Sequence, residues 1–307
     1  MSPTCMTTAD DPLPALMAAL RSSCATERLR AAKDLGRLGW LARDALPALV
    51  AVLNDSDHRV RESAAQAIGS MGPDALPTLV AMLGHSDKYV RRHAVWALGK
   101  LGPLARPALA ELCSALKDTD PRTASGAAQA LGSMGADAAE GVPALAEAMR
   151  GTNIVLCRLA SKALSQIGFP ALPTLIAHLH HADPFVRAES ALAIGWMGPA
   201  AEAAIPHLAQ VVQGPQVPLT PSPTAAVPNP SGPLAVSDSQ AVTPPQVADD
   251  GTLSPEVNCR VYAAQALGRI GSAALPALLE LQQSLPLAPE PVGKAVEQAL
   301  RLVQGAS

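Results

Sequence analysis

The sequence predicts an all-α fold: a solenoid of about eight two-helix repeats wound as a right-handed superhelix. Three observations predict it. A Gly recurs in the pattern apolar-Gly-x-apolar-Gly at Gly36, Gly69, Gly99, Gly132, Gly195 and Gly268, with Ser165 standing in once. A Pro opens an apolar run at Pro14, Pro47, Pro77, Pro107, Pro143, Pro173, Pro206 and Pro276. Finally, hydrophobic residues are 49% of the 307 but aromatics only 2%, so each element buries little area and stability must come from many small contacts. The glycine steps of 33, 30, 33, 33, 30 and 73 residues mark a period repeated many times and interrupted once.

Each period reads as two helices. The first is short, as in ALPALVAVL (Ala45 to Leu53), and Pro suits its first turn because the missing N–H would be unpaired there anyway. The second begins near Asp57, Asp87, Asp120, Asn153 or Asp183, residues that cap exposed N–H groups and favour the positive end of the helix dipole. It ends at the paired glycines, which permit a left-handed cap. Around Val60 the apolar residues Val60, Ala64, Ala67, Ile68 and Met71 share one helical face. A lone helix pair cannot bury that face, whereas stacked neighbours can.

Residues 1–11 are expected to be a disordered N-terminus and 12–212 the repeat array. From 213 to 254 the pattern stops in a stretch with nine prolines and no Lys or Arg, predicted to be a disordered or polyproline-like insertion inside one repeat. Residues 255–307 then give the last repeat and a polar capping helix carrying Lys294, Glu297, Gln298 and Arg301.

The pattern Asp-x-x-Val-Arg-x-x-Ala-x-x-Ala-(Leu/Ile)-Gly at Asp57–Gly69 resembles the HEAT repeat, and the period near thirty is similar to the short HEAT-like type of phycobilisome lyases. The resemblance covers 12–212 and 255–285. It implies an Asp–Arg ladder between neighbouring repeats, carried here by Asp57 with Arg61, Asp87 with Arg91 and Asp183 with Arg187. Ala124 and Cys157 occupy the Arg place in the fourth and fifth units, so the ladder should break there. The resemblance also admits enzymes, a bilin lyase or isomerase and deoxyhypusine hydroxylase, as well as HEAT-like DNA glycosylases. The hydroxylase binds iron through His-Glu pairs, and this sequence contains no His-Glu dipeptide.

In such stacks the second helix lines the concave surface. Opposite its core face stand Arg30, Lys33 and Arg37, then Glu62 and Gln66, then Arg92, His93, Trp96 and Lys100. The fourth unit offers Ser125, Gln129 and Ser133, and the later units offer Arg158 and Lys162, Glu189 and Trp196, and Tyr262 and Arg269. These positions hold eight basic and two acidic residues, against a whole-chain charge of -3. The expected partner is therefore an acidic or phosphorylated protein segment in a basic groove with Trp96, Trp196 and Tyr262 as anchors. Neither nucleic acid nor a membrane is expected, since the chain is net acidic and has no apolar run of transmembrane length.

No catalytic, cofactor or metal motif is found: HExxH, GxSxG, a Walker loop and GxGxxG are all absent. His178, His180 and His181 form the one histidine cluster, expected to be a polar turn between helices. Cys5, Cys24, Cys113, Cys157 and Cys259 are scattered, odd in number and without CxxC. They suit reduced thiols in a cytoplasm, acting as small buried hydrophobes.

Overall fold

A computed structural model describes residues 12–214, 253–284 and 289–305. Every regular element among them is helical, and the helices alternate short and long. The chain divides into two compact units, 1–177 and 178–307. The first holds α1 (Leu13–Ala19), α2 (Ala25–Leu38), α3 (Leu46–Ala51), α4 (His58–Ser70), α5 (Leu76–Leu83), α6 (Lys88–Leu101), α7 (Leu109–Ala115), α8 (Pro121–Ser133), α9 (Val142–Met149) and α10 (Ile154–Ile167). Helix α11 (Leu172–His178) reaches the division. The second unit holds α12 (Pro184–Met197), α13 (Ile205–Gln213), α14 (Pro255–Ile270), α15 (Leu275–Ser284) and α16 (Glu290–Gly305). The predicted N-terminal segment and nearly all of the predicted insertion lie outside the described residues. The helices on either side of 215–252, α13 and α14, pack against each other, and Arg260 of α14 donates to the carbonyls of Val212 and Gln213.

Local chemistry makes the alternation. Asp57, Asp87, Asp120, Asn153 and Asp183 each cap a long helix, their side chains accepting a backbone N–H from its first turn. Pro opens α1, α3, α5, α9 and α13, whereas Pro107 sits in the 3-10 turn ahead of α7. Between long and short helix the chain passes through a glycine of positive φ, such as Gly102 at 55°. A 3-10 turn follows each such glycine, an element that the periodicity did not predict.

Consecutive long helices lie side by side, α2, α4, α6, α8 and α10 in the first unit and α12, α14 and α16 in the second. The first glycine of each pair is inside the long helix, where it meets the next one. A Cβ at Gly132 would stand 3.0 Å from the Ala163 Cα, and one at Gly268 would stand 2.9 Å from the Ala299 Cα. The repeated Gly and Ala therefore set the spacing between long helices, and α16 takes the place of a long helix with Val292, Val296, Leu300 and Val303 buried.

A second device repeats along the stack. Arg28, Arg61, Arg91 and Arg187 each reach back to two carbonyls of the loop before their own helix: Ser22 and Ser23, Asp55 and Ser56, His85 and Ser86, His181 and Ala182. Each also reaches forward to a carboxylate of the next repeat. Arg28 binds Asp55 at 2.6 Å, Arg61 binds Asp87, Arg91 binds Asp118 at 2.7 Å, and Arg187 binds Glu256. This corrects the expected ladder. Asp57 does not pair with Arg61 but with Arg59, because the cap Asp lies on the near side of its own helix. Asp55 and Asp118 instead stand two residues before a cap and accept its backbone N–H, as the imidazoles of His85 and His181 do before Asp87 and Asp183. Arg61 reaches the cap Asp87 itself because His85 holds the preceding acceptor place. In the fifth repeat, the thiol of Cys157 approaches the Gly151 carbonyl at 3.1 Å, reproducing the backward contact without the charge.

These ion pairs set the acid response. The Arg28 guanidinium holds the Asp55 carboxyl below its ordinary value. Burial pushes Asp87 and Asp118 up, but the guanidinium and a backbone N–H at each together bring them lower still. Carboxyls depressed in the fold contribute stability in full above their unfolded value of about pH 4, and lose it as pH falls through the folded values. Urea midpoints should therefore drop as pH falls below about 4, and Arg91→Ala should flatten that drop. A second expectation opposes two glycines. Gly268→Val should cost about 1–3 kcal/mol in urea unfolding by forcing α14 off α16. Gly293→Ala, in the open first turn of α16 with nothing within 4 Å, should add about 0.5 kcal/mol.

Candidate protein-binding groove

The long helices of the first unit bury the face that carries Val60, Ala64 and Ile68 in α4 and its equivalents. The opposite faces of α4, α6, α8 and α10 form a groove of ≈ 970 Å³. Its apolar part is built from Trp96, Tyr89, Val155 and Leu159, with Gly99 and Gly126 at its floor where α6 and α8 pack closely. Trp96 is 48% exposed. Its indole rests against α4 where Gly69 has no side chain, 3.7 Å from where a Cβ would be. Burying an indole that stands half in water is a source of binding energy.

Polar groups surround this surface. Gln66 and Gln129 are exposed and make no hydrogen bond to a described residue, so both amides can serve a ligand. Ser133 is committed, its hydroxyl donating to the Gly99 carbonyl at 2.9 Å, and Asn153 caps α10.

The charges differ from the sequence expectation. Arg92 is held in a fork by Asp120, Nε to Oδ2 at 2.7 Å, with its guanidinium 5.1 Å from the Tyr89 ring centre. Asp120 is buried, and it also caps α8 through the amide and hydroxyl of Thr123. The Arg92 guanidinium, against burial and helped by Thr123, holds the Asp120 carboxyl far below the usual carboxylate range. Arg92 is thus a wall of the groove whose charge is already answered. His93 lies 3.5 Å from the Glu62 carboxylate. Lys100 stands 5.5 Å over the Trp96 ring, leaving its ammonium open to solvent. Arg122, exposed at the groove, meets no carboxylate among the described residues.

The structure thus brings Glu62, Gln66, Arg92, His93, Trp96 and Lys100 to one groove. Arg30, Lys33 and Arg37 line a separate hollow of ≈ 300 Å³ on α2, where Asp34 offsets part of the charge by binding Arg37 at 2.7 Å. Arg158 and Lys162 are exposed on α10 but do not line the groove. Trp196, Tyr262 and Arg269 belong to the second unit, on α12 and α14, with Trp196 47% exposed. Sequence reasoning missed Tyr89, Arg122 and Val155. Each lies seven residues, two helical turns, before Trp96, Gln129 and Lys162, so extending the same face toward the helix N-terminus finds them. The cysteines also divide differently from the expectation: Cys157 and Cys259 are buried and Cys113 partly so, but Cys24 is exposed at the cap of α2, and Cys5 lies outside the described residues.

Two rows of helices, one short and one long, stacked through small residues, define an α-solenoid repeat protein. The HEAT-repeat model matches residues 13–99, 76–153 and 142–220, and the chain belongs to the HEAT-repeat family. The model of the PBS lyase HEAT-like repeat matches 260–284. No curated protein matches the chain. Among solved structures, an engineered protein is 20% identical, covering 95% of this chain and 78% of its own, at TM-score 0.49. The complex of CpcE and CpcF of phycocyanin lyase from Nostoc sp. PCC7120 is 21% identical over 93% of this chain and 99% of its own, at TM-score 0.42. A designed armadillo repeat protein in complex with the peptide (KR)4 is 19% identical over 61% of this chain and 100% of its own, at TM-score 0.43. No described helix is long and apolar enough to cross a membrane.

Arg92→Ala should act on stability as well as on the groove, because it strands the buried Asp120 carboxylate. A loss on the order of 2–3 kcal/mol in urea unfolding at pH 7 is expected. Lys100→Ala, whose ammonium meets no carboxylate among the described residues, should stay within about 0.5 kcal/mol of the parent.

Proposed function

We propose that the chain is a non-enzymatic scaffold that holds an extended, acidic protein segment along the exposed faces of α4, α6, α8 and α10. The half-exposed Trp96 in the wall of the groove carries this reading. Large aromatics in a concave surface ringed by polar groups are the usual anchors of protein interfaces. An apolar side chain of the partner would cover Trp96 and Val155. The amides of Gln66 and Gln129 would meet its backbone, since an extended strand presents unpaired N–H and C=O groups. Its carboxylates would lie toward Lys100 and Arg122, with Arg30, Lys33 and Arg37 available to a longer acidic stretch on α2. The net charge of -3 disfavours a nucleic-acid ligand for the same groove.

A random peptide library displayed against the intact chain tests the reading. Selected sequences should carry an apolar residue flanked by Asp or Glu. Trp96→Ala should weaken the best peptide by about 2 kcal/mol, roughly thirtyfold. Lys100→Glu with Arg122→Glu should weaken it further and flatten its salt dependence. Peptides that bind parent and both variants equally would overturn the groove as the site.

A further inference from the structure

The 3-10 turns of the first unit form one edge of its stack: Gly39–Ala45, Gly72–Ala75, Gly102–Ala108, Gly135–Gly141 and Phe169–Ala171. All five keep one register after their positive-φ glycine. The third residue after it is a fully buried alanine, Ala42, Ala75, Ala105, Ala138 or Ala171. The two residues before that alanine are exposed in every turn. Successive turns pack on one another or on the short helix between them, so the exposed pairs run in one row. Trp40 with Leu41, Leu104 and Phe169 stand in this row, from 57% to 72% exposed. Asp74 and Asp137 occupy the two turns between them. The row therefore alternates, large apolar against carboxylate, from one repeat to the next.

Charge on this edge is the reverse of that in the groove. Arg43 lies 4.0 Å from Asp44 and Arg106 lies 3.8 Å from Glu140, so both cations are answered. Asp74 and Asp137 are exposed and meet no cation among the described residues. An occupant must cover the apolar knobs and bring positive charge to the carboxylates between them. Spacing selects its backbone. Neighbouring long helices pack about 8–10 Å apart, so each turn lies about that far from the next. In a strand about three residues span one such step, which puts consecutive contacts on opposite faces. In an α-helix seven residues span about 10.5 Å and return to the same face. A helix with apolar and basic residues alternating at every seventh position thus matches the row.

We propose that this edge of the first unit docks a basic amphipathic helix of a partner protein. Apolar residues of that helix cover Trp40 with Leu41, Leu104 and Phe169, and its lysines or arginines pair with Asp74 and Asp137. The rings and leucines that stand in water lose that exposure on docking, which is the source of the binding energy. The surface is independent of the groove proposed for an acidic segment, and the two take partners of opposite charge.

The test uses a dye-labelled helical peptide of about four heptads, with Leu and Lys alternating at every seventh position, titrated with the intact chain. Fluorescence anisotropy should report binding to the parent. Trp40→Ser with Leu104→Ser should weaken it by about tenfold or more. Asp74→Lys with Asp137→Lys should weaken it and remove its salt dependence. Leu302→Ser, which removes an equally exposed side chain from α16, should bind as the parent does. The same peptide with Glu in place of Lys should bind the parent at least tenfold more weakly, on the order expected for like charges set against each other. Circular dichroism of each variant reports that the fold is kept. Absence of binding by the Lys peptide, equal binding by the Glu peptide, or affinity unchanged in both edge variants would overturn the proposal. So would sedimentation showing that the parent self-associates and the Trp40→Ser, Leu104→Ser variant does not, because a second copy would then cover the edge.

Discussion

The close approach of one long helix to the next, Gly against Ala, is the constraint on which the rest of this protein depends. Gly36 faces Ala67, Gly99 faces Ala130, Gly132 faces Ala163, Gly195 faces Ala266 and Gly268 faces Ala299. Backbones that come this near leave no space for large side chains between them, which accounts for a core of Ala, Leu and Val. The low aromatic content follows from the geometry, because an indole or phenyl ring fits only where a helix face is open. Trp40, Trp96, Trp196 and Phe169 are all substantially exposed for that reason.

Charge supplies the coupling that small apolar contacts do not. The buried stem of each arginine ties its own loop to its own helix, and the fork ties that helix to the next repeat. Such pairs gain little on an open surface, but Arg28–Asp55 and Arg91–Asp118 are at most 14% exposed at the side chain and are joined to backbone carbonyls. The step from α6 to α8 is doubly tied, by Arg91 to Asp118 and Arg92 to Asp120. The step from α8 to α10 is not, since Ala124 occupies the arginine place and, among the described residues, α8 sends no ion pair forward. What holds that step is apolar packing along both helices, with Gly132 set against Ala163.

The groove lies across this change in coupling, with α6 on the tied side and α10 on the other. Its aromatic floor is a by-product of the same spacing rule. Gly69 permits the Trp96 ring to rest against α4, and Gly126 admits the Val95 side chain of α6 against α8. In the binding proposed for this groove, specificity would rest on a few side chains that the fold leaves uncommitted: two amides, one ammonium and one guanidinium.

Repeat number, helix boundaries, capping residues and the core face were legible in the sequence, because each follows from interactions within one turn or one period. Caps at Asp57 or Asp87 need only their own helix, and the apolar face around Val60 needs only a period of 3.6. Pairings that cross from one repeat to the next were not legible. Arg61 binding Asp87 in place of Asp57, Arg92 neutralised by Asp120, and His180 meeting His207 all join residues about 26 to 28 apart whose distance is set by how helices stack. The basic face counted along the sequence was thus larger than the basic surface the protein offers, since a count of residue types does not reveal which charges are already answered. The sequence by itself determined that this chain is a stack of helix pairs, each long helix burying one face and leaving the other open. Only the tertiary structure decided which side chains on that face are free, because freedom depends on neighbours that stacking alone brings within reach.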